Sequence, residues 1–274
     1  MDPLRLYKSK PTRGYPESTA FPYPVVAPVF YVKFGDPWPM RMEAETHMYA
    51  FEQLQAMPRS GAAAGMLPRI PKILRLIQHK DTLFAVIEYI QGRTFLELQK
   101  TLSVPQQQPL VDKIAHGIRA LSSMTPPQSS PPGPYRGGII RHPLFKDSTA
   151  AAVFDSVDGL EAHINKLTAV TPMAKAQNPW KITLERELCL VYSDLYPGNF
   201  IFRADQEMYV IDFEHAAFLP RSFQTLALHA SFPTSRVLAM DVAERLKAEL
   251  PTENLPAMRV AQGNFGVCFF GFGM

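Results

Sequence analysis

Val191-Tyr-Ser-Asp-Leu-Tyr-Pro-Gly-Asn-Phe200 and, a few residues on, Met208-Tyr-Val-Ile-Asp-Phe-Glu214 hold the densest chemistry in the chain. Asp194 and Asn199 stand five apart across a turn containing Pro197-Gly198. Asn199 and Asp212 stand thirteen apart, with two short apolar runs between them, Asn199 to Arg203 and Met208 to Asp212. Those runs read as strands joined by a turn at Ala204-Asp205-Gln206. A hairpin of that kind carries Asp212 back beside Asn199. An Asn and an Asp side by side offer oxygen ligands to a hard cation such as Mg²⁺. A further carboxylate on the same loop, Asp194, can orient or deprotonate a hydroxyl.

Outward from this segment, the chain divides in two. Val25 to Phe34 is rich in β-branched and aromatic residues and predicts a strand, with Pro28 at its start or on an edge. Residues 41 to 55 predict a helix, with Met48, Phe51 and Leu54 at helical spacing. A loop over Ser60 to Gly65 and a strand over Leu83 to Ile90 follow, and Gly92 closes the strand. Beyond Gly92 the pattern turns helical. Thr94 with Glu97 forms a capping box, and Leu110, Ile114, Ile118 and Leu121 give an apolar stripe. Asp158 with Glu161 opens a further helix, and a last one runs from about Ser235 to Leu250. The expectation is an irregular proline-rich arm over 1–24, a strand-rich lobe over 25–91 and a helical lobe over 92–274.

Composition fits an ordinary globular chain of 274 residues, 46% hydrophobic and 19% charged, with a net charge of +3. That charge is too mild to point to a nucleic-acid binder. Residues 1–91 carry 11 basic and 8 acidic side chains, while residues 92–274 carry 17 of each. No apolar run approaches the ~20 residues needed to span a bilayer, and the charged start, with Asp2, Arg5, Lys8 and Lys10, is unlike a signal peptide. A soluble cytoplasmic monomer without membrane or nucleic-acid partners is expected. Cys189 and Cys268 are read as reduced thiols. The seven histidines form no His-Glu-x-x-His or close pair, and no Walker loop, Rossmann fingerprint or Gly-x-Ser-x-Gly elbow occurs.

Asp-x-x-x-x-Asn followed by a strand ending in Asp-Phe is the pattern of the kinase superfamily's catalytic loop and metal-binding Asp. More closely, Tyr192-Ser-Asp-Leu-Tyr-Pro-Gly-Asn199 and Val210-Ile-Asp-Phe-Glu214 resemble the His-Gly-Asp-x-x-Pro-x-Asn and Ile-Asp-Trp/Phe-Glu segments of the aminoglycoside phosphotransferase and choline kinase family. Val32-Lys33 resembles that family's strand lysine, and Glu43-Ala-Glu-Thr-His-Met48 the start of its helix. Pro68-Arg-Ile-Pro-Lys-Ile73 resembles its linker, and Ile87-Glu-Tyr-Ile-Gln-Gly-Arg-Thr94 its hinge. The resemblance covers most of the chain. It implies an α+β, two-lobed protein-kinase-like fold and transfer of the γ-phosphate of ATP, with Mg²⁺, to a hydroxyl of an unidentified small molecule.

By that resemblance Lys33 holds the α/β-phosphates, paired with Glu45, which stands three residues before Met48; Glu43 is the competing carboxylate. Asn199 and Asp212 hold the metal, and Asp194 accepts the proton of the acceptor hydroxyl. The Glu88 carbonyl and Ile90 amide face adenine. Two departures stand out. Tyr192 takes the place of the motif's His. The stretch Ala20 to Val32 has no glycine, and its three prolines lack the amides of a phosphate loop. Gly133, Gly137 and Gly138 read as a connector. A weak pseudokinase that binds a nucleotide or a partner is the alternative. A protein kinase is disfavoured, since no Ala-Pro-Glu follows Asp212; Phe218 to Phe223 instead resembles the short segment of some aminoglycoside-phosphotransferase-like proteins.

Overall fold

The computed structural model describes residues 19–59, 65–127, 129–169, 180–230 and 232–267. The expected loop at Ser60 to Ala64, the N-terminal arm before Thr19, and Cys268 with the tail beyond it lie outside these residues. The two-lobed α+β arrangement expected from the sequence is the one adopted. The small lobe is a four-stranded antiparallel sheet, in the order β1 (Thr19–Tyr23), β2 (Phe30–Gly35), β4 (Thr82–Glu88), β3 (Ile73–His79). Helix α1 (Pro37–Ala56) packs against it.

The sequence boundaries shift here for physical reasons. The strand expected over Val25 to Phe34 is interrupted: β1 ends at Tyr23, and β2 starts at Phe30. Pro22 sits on β1, the edge strand, where a missing amide costs no ladder bond, and Pro24 and Pro28 fall in the connecting turn. The last residues of the expected arm therefore belong to the sheet. Helix α1 begins four residues earlier than expected. The Asp36 carboxylate accepts from the Trp38 amide at 3.0 Å, and Pro37 opens the first turn, where its missing donor is harmless.

A linker over 68–72 leads from α1 into β3 and pairs with the large lobe on the way. The Arg69 amide donates to Met208 O at 2.8 Å, and the Val210 amide donates to Arg69 O at 2.8 Å. At the end of β4 the chain turns into β5 (Arg93–Thr94). A Cβ at Gly92 would lie 2.6 Å from Phe202 O, so this close approach is open only to glycine.

The large lobe contains α2 (Phe95–Gln99), α3 (Val104–Ser122) and α4 (Val157–Ala169). After these come β6 (Leu188–Tyr192), β7 (Phe200–Phe202), β8 (Met208–Val210) and β9 (Ala216–Pro220), then α5 (Arg221–His229), α6 (Arg236–Leu246) and α7 (Leu255–Val267). The Thr94–Glu97 capping box is present. Helix α4 is capped differently from expectation: Ser156 Oγ accepts from the Gly159 amide, and Glu161 instead takes the Leu184 amide. Ile114, Ile118 and Leu121 of the predicted stripe are fully buried, each removal from water contributing about 1.5–3 kcal/mol. Cys189 is a free, buried thiol. No described helix is long and apolar enough to cross a membrane.

Two histidines are locked inside this framework in the neutral form. His142 accepts the Leu144 amide at Nδ1 and meets Phe223 O with Nε2, both at 3.0 Å. His47 Nε2 lies 2.6 Å from Pro71 O. Burial pushes His142 down to about 3 and His47 down to about 4. The unfolded chain, with histidines near 6.5, therefore takes up protons first as the pH falls. The stability these groups contribute is complete above about pH 6.5 and is lost toward pH 4 and 3. Together they predict a loss of about 4 kcal/mol between pH 7 and 5. Urea midpoints across that range check this; a flat profile would show that neither ring is held neutral.

Candidate active site

Strand β6 delivers its last residue, Tyr192, into the core, and the chain then emerges as a loop. Tyr192 is fully buried against Phe200 and Phe213, with ring centroids 6.2 and 5.6 Å away. Its hydroxyl donates to Ile211 O at 2.6 Å. The side chain of Gln224 bonds both its amide and its carbonyl. Tyr192 thus fills the position beneath the loop and ties it to the residue before Asp212. Ser193 is fixed by the His215 carbonyl, which accepts from both its amide and its hydroxyl.

Asp194 follows, half-buried. Its Oδ1 accepts from the Tyr196 amide at 3.2 Å, and its Oδ2 accepts from Asn199 Nδ2 at 3.0 Å. A single 3₁₀ turn over Pro197–Asn199 brings Asn199 back to it. Asn199 is buried. Its nitrogen is committed to Asp194, which leaves the amide oxygen as the end available to a ligand. The Ile211 amide donates to Asn199 O at 3.0 Å, so the hairpin β7–β8 closes as the spacing predicts.

Asp212 has a positive φ of 62°, a region sparsely populated for residues with a Cβ. The turn sets its carboxylate against the small lobe. Lys33 Nζ, on β2, donates to Asp212 Oδ1 at 3.1 Å and to Glu43 Oε1 at 2.8 Å, and lies 3.5 Å from Glu214 Oε2. Lys33 is only 7% exposed. Burial alone would depress its ammonium, but Glu43 and Asp212 outweigh that and hold it above the ordinary lysine value.

The lysine's partner is Glu43, which corrects the expected pairing with Glu45. Helix α1 buries Met40, Glu43, Ala44, His47, Ala50 and Leu54 along one side, and Glu45 lies off that stripe. Glu214 and Arg141 also belong to the site, paired with each other, and neither was assigned a role from sequence. Glu214 had a signal, standing two residues beyond Asp212 within the recognised motif. Arg141 had none, because it lies in a loop without periodicity. His215, which follows Glu214, is pushed below the ordinary histidine value by burial, although Asp194 and Asp212 both act to raise it.

Carboxylate oxygens of Glu43, Asp212 and Glu214 lie within 4.8 Å of one another. With the Asn199 amide oxygen, the donors are all hard oxygens, which suit Mg²⁺ rather than a softer metal. At the hinge, the Glu88 amide is taken by Lys72 O, and the Ile90 amide is engaged by no main-chain carbonyl among the described residues. In the stretch where the sequence lacked a glycine loop, the structure has strand β1, its turn and β2. In protein kinases the phosphate lysine stands on the third strand. Lys33 stands on the second of the described strands.

Comparisons with known proteins bear on the fold and the family. No curated protein matches the chain by sequence. Among solved structures, a thermostable mutant of aminoglycoside phosphotransferase APH(4)-Ia in its apo form aligns with a TM-score of 0.59 at 16% identity, covering 93% of this chain and 83% of that one. The streptomycin–ATP complex of APH(2'')-IIa aligns at 0.51 and 17% identity over 95% and 85%. ADP-bound APH(2'')-Ib aligns at 0.51 and 18% identity over 94% and 83%. These likenesses show the fold. The model of the phosphotransferase enzyme family, APH, matches residues 40–259, which include most of α1 with Glu43, the hinge, Asp194, Asn199 and Asp212. On that match over most of its length, the chain belongs to the phosphotransferase enzyme family.

Proposed function

We propose that the protein transfers the γ-phosphate of ATP to a hydroxyl of a small molecule. The observation that carries this reading is the meeting of Lys33, Glu43 and Asp212 beside a loop in which Asn199 holds Asp194. Phosphoryl transfer is mostly positioning and charge stabilisation, and these residues divide that work. Lys33 binds the α/β-phosphates, with Glu43 fixing its ammonium. Asn199 and Asp212 hold Mg²⁺, which when bound screens the charge between phosphate oxygens. Asp194 orients the acceptor hydroxyl and accepts its proton at the oxygen not needed for Asn199. The Ile90 amide and the Glu88 carbonyl receive adenine.

The similar structures include complexes with ATP and ADP, which supports a nucleotide as donor. The acceptor is proposed only by class. The large lobe has no acidic excess to attract a polycation, so an aminoglycoside acceptor does not follow from the fold. A monomer without nucleic-acid or membrane partners fits the charge. A weak pseudokinase is the less favoured reading, because Lys33, Asp194, Asn199 and Asp212 are all retained and brought together.

Thermal melting tests the reading. ATP with Mg²⁺ at about a hundred times its Kd should stabilise the protein by about 2.7 kcal/mol, a rise of roughly 5–10 °C for a chain of this size. Asp212→Ala should abolish that rise. Unchanged melting of the wild type in millimolar nucleotide would end the phosphotransferase proposal.

A further inference from the structure

One segment of the large lobe grips the small lobe's helix from behind. It leaves the large lobe where Gly133 and Phe218 exchange two main-chain bonds, of 3.0 and 2.7 Å. Tyr135 then stacks on Tyr49 with centroids 4.9 Å apart, and its amide donates to Thr46 Oγ1 at 3.0 Å. Gly138, at φ +133°, lies under Met42, and a Cβ there would run into the Met42 sulfur. Arg141 ends the segment in its ion pair with Glu214. Met42, Thr46 and Tyr49 are spaced four and three apart, so they form one ridge along α1. Glu43 is next to that ridge. On its other side, α1 meets the linker through His47 and Pro71 O.

We propose that residues 133–141 are a permanent brace for α1, with Gly138 and Arg141 as positioning residues. The brace holds Glu43 against Lys33, and Arg141 neutralises Glu214 beside Asp212. In protein kinases the lysine–glutamate pair forms only when its helix is positioned, a step under regulatory control. Here the same helix is fastened by a loop of the chain itself, so the lysine cluster is assembled before nucleotide arrives. Arg141 also balances charge. Without it, Lys33 alone would face three carboxylates, and Glu214 would compete with Asp212 for its ammonium. The consequence for turnover rests on the phosphotransferase reading; the fastening of the helix does not.

Amide hydrogen exchange on the unliganded protein separates the two. Arg141→Ala and Gly138→Ala should each speed exchange in the first three turns of α1 by about tenfold or more, with α5 unchanged. KM for ATP should rise by about tenfold with a smaller change in kcat, and Arg141→Lys should recover part of it. Should Gly138→Ala loosen the whole fold, α5 exchanging faster as well, Arg141→Ala decides, since that side chain is partly exposed. Wild-type α1 exchange in Arg141→Ala would overturn the brace. A wild type that binds no nucleotide would overturn the functional reading instead, and the exchange result would still judge the brace.

Discussion

Asp194→Asn is expected to stop phosphoryl transfer while nucleotide binding survives. The substitution keeps the size of the side chain and one acceptor oxygen but removes its ability to take a proton. In the native loop both carboxylate oxygens are occupied, one by the Tyr196 amide and one by the Asn199 side chain. An amide can satisfy only one of those donors, so the variant loses one hydrogen bond, worth about 1 kcal/mol. The loop is otherwise held by groups that do not involve the carboxylate. Ser193 is bonded to the His215 carbonyl, Tyr192 is anchored on Gln224 and Ile211, and Leu195 is buried. Folding is therefore retained, and the effect falls on the chemistry. A positioned general base contributes roughly 10²–10⁴ in rate, so kcat should fall within that range, with KM for ATP changed by no more than about threefold. The Mg²⁺-ATP melting shift should remain, which distinguishes loss of the base from loss of the metal through Asn199. Transfer at more than a tenth of the wild-type rate would remove Asp194 from the role of base.

The loop acid and the hairpin acid were legible in the sequence because their chemistry is local. Asp194, Asn199 and Asp212 fall within nineteen residues, and two short strands with a turn between them are enough to bring them together. The identity of the lysine's partner was not legible in the same way. Helix α1 was read from Met48, Phe51 and Leu54, yet its buried side is Met40, Glu43, Ala44, His47, Ala50 and Leu54. That side sets a carboxylate and an imidazole among Met40, two alanines and Leu54, so hydropathy marks it only weakly. Met48 and Phe51 are only half-buried. The side a helix buries depends on what it packs against, and here that is a lysine on β2 and the Phe213 ring beneath His47. Arg141 was invisible for a related reason, since it reaches the site from a loop far along the chain from Lys33. The prolines were read as occupying a phosphate loop, but pairing of Ala20 with Lys33 puts them on the strand and turn that lead into the lysine. Local spacing cannot say which hairpin of a sheet a segment belongs to; register does.

Glu43→Ala should destabilise the protein and weaken nucleotide binding, whereas Glu45→Ala should do neither. Lys33 is buried, and Glu43 is its shortest ion pair. Breaking a buried pair by removing one partner strands the remaining charge, at a typical cost of 3–5 kcal/mol. Asp212 at 3.1 Å and Glu214 at 3.5 Å still face the ammonium, so the expected loss sits near the lower end, about 3 kcal/mol. In melting that is a fall of roughly 6–12 °C. The same rearrangement has a functional cost. With Glu43 gone, Lys33 leans on Asp212, and a carboxylate held by lysine is less free for the metal, so affinity for ATP with Mg²⁺ should fall by about tenfold or more. Glu45 makes no hydrogen bond or ion pair among the described residues, and its removal should stay within about 0.5 kcal/mol. Because the two residues share one helix turn and one charge, the pair of variants cancels propensity and net-charge effects. Equal losses in both would mean that Lys33 is held by the field of the whole helix rather than by Glu43, and a larger loss in Glu45→Ala would return the pairing to the register first read from the sequence.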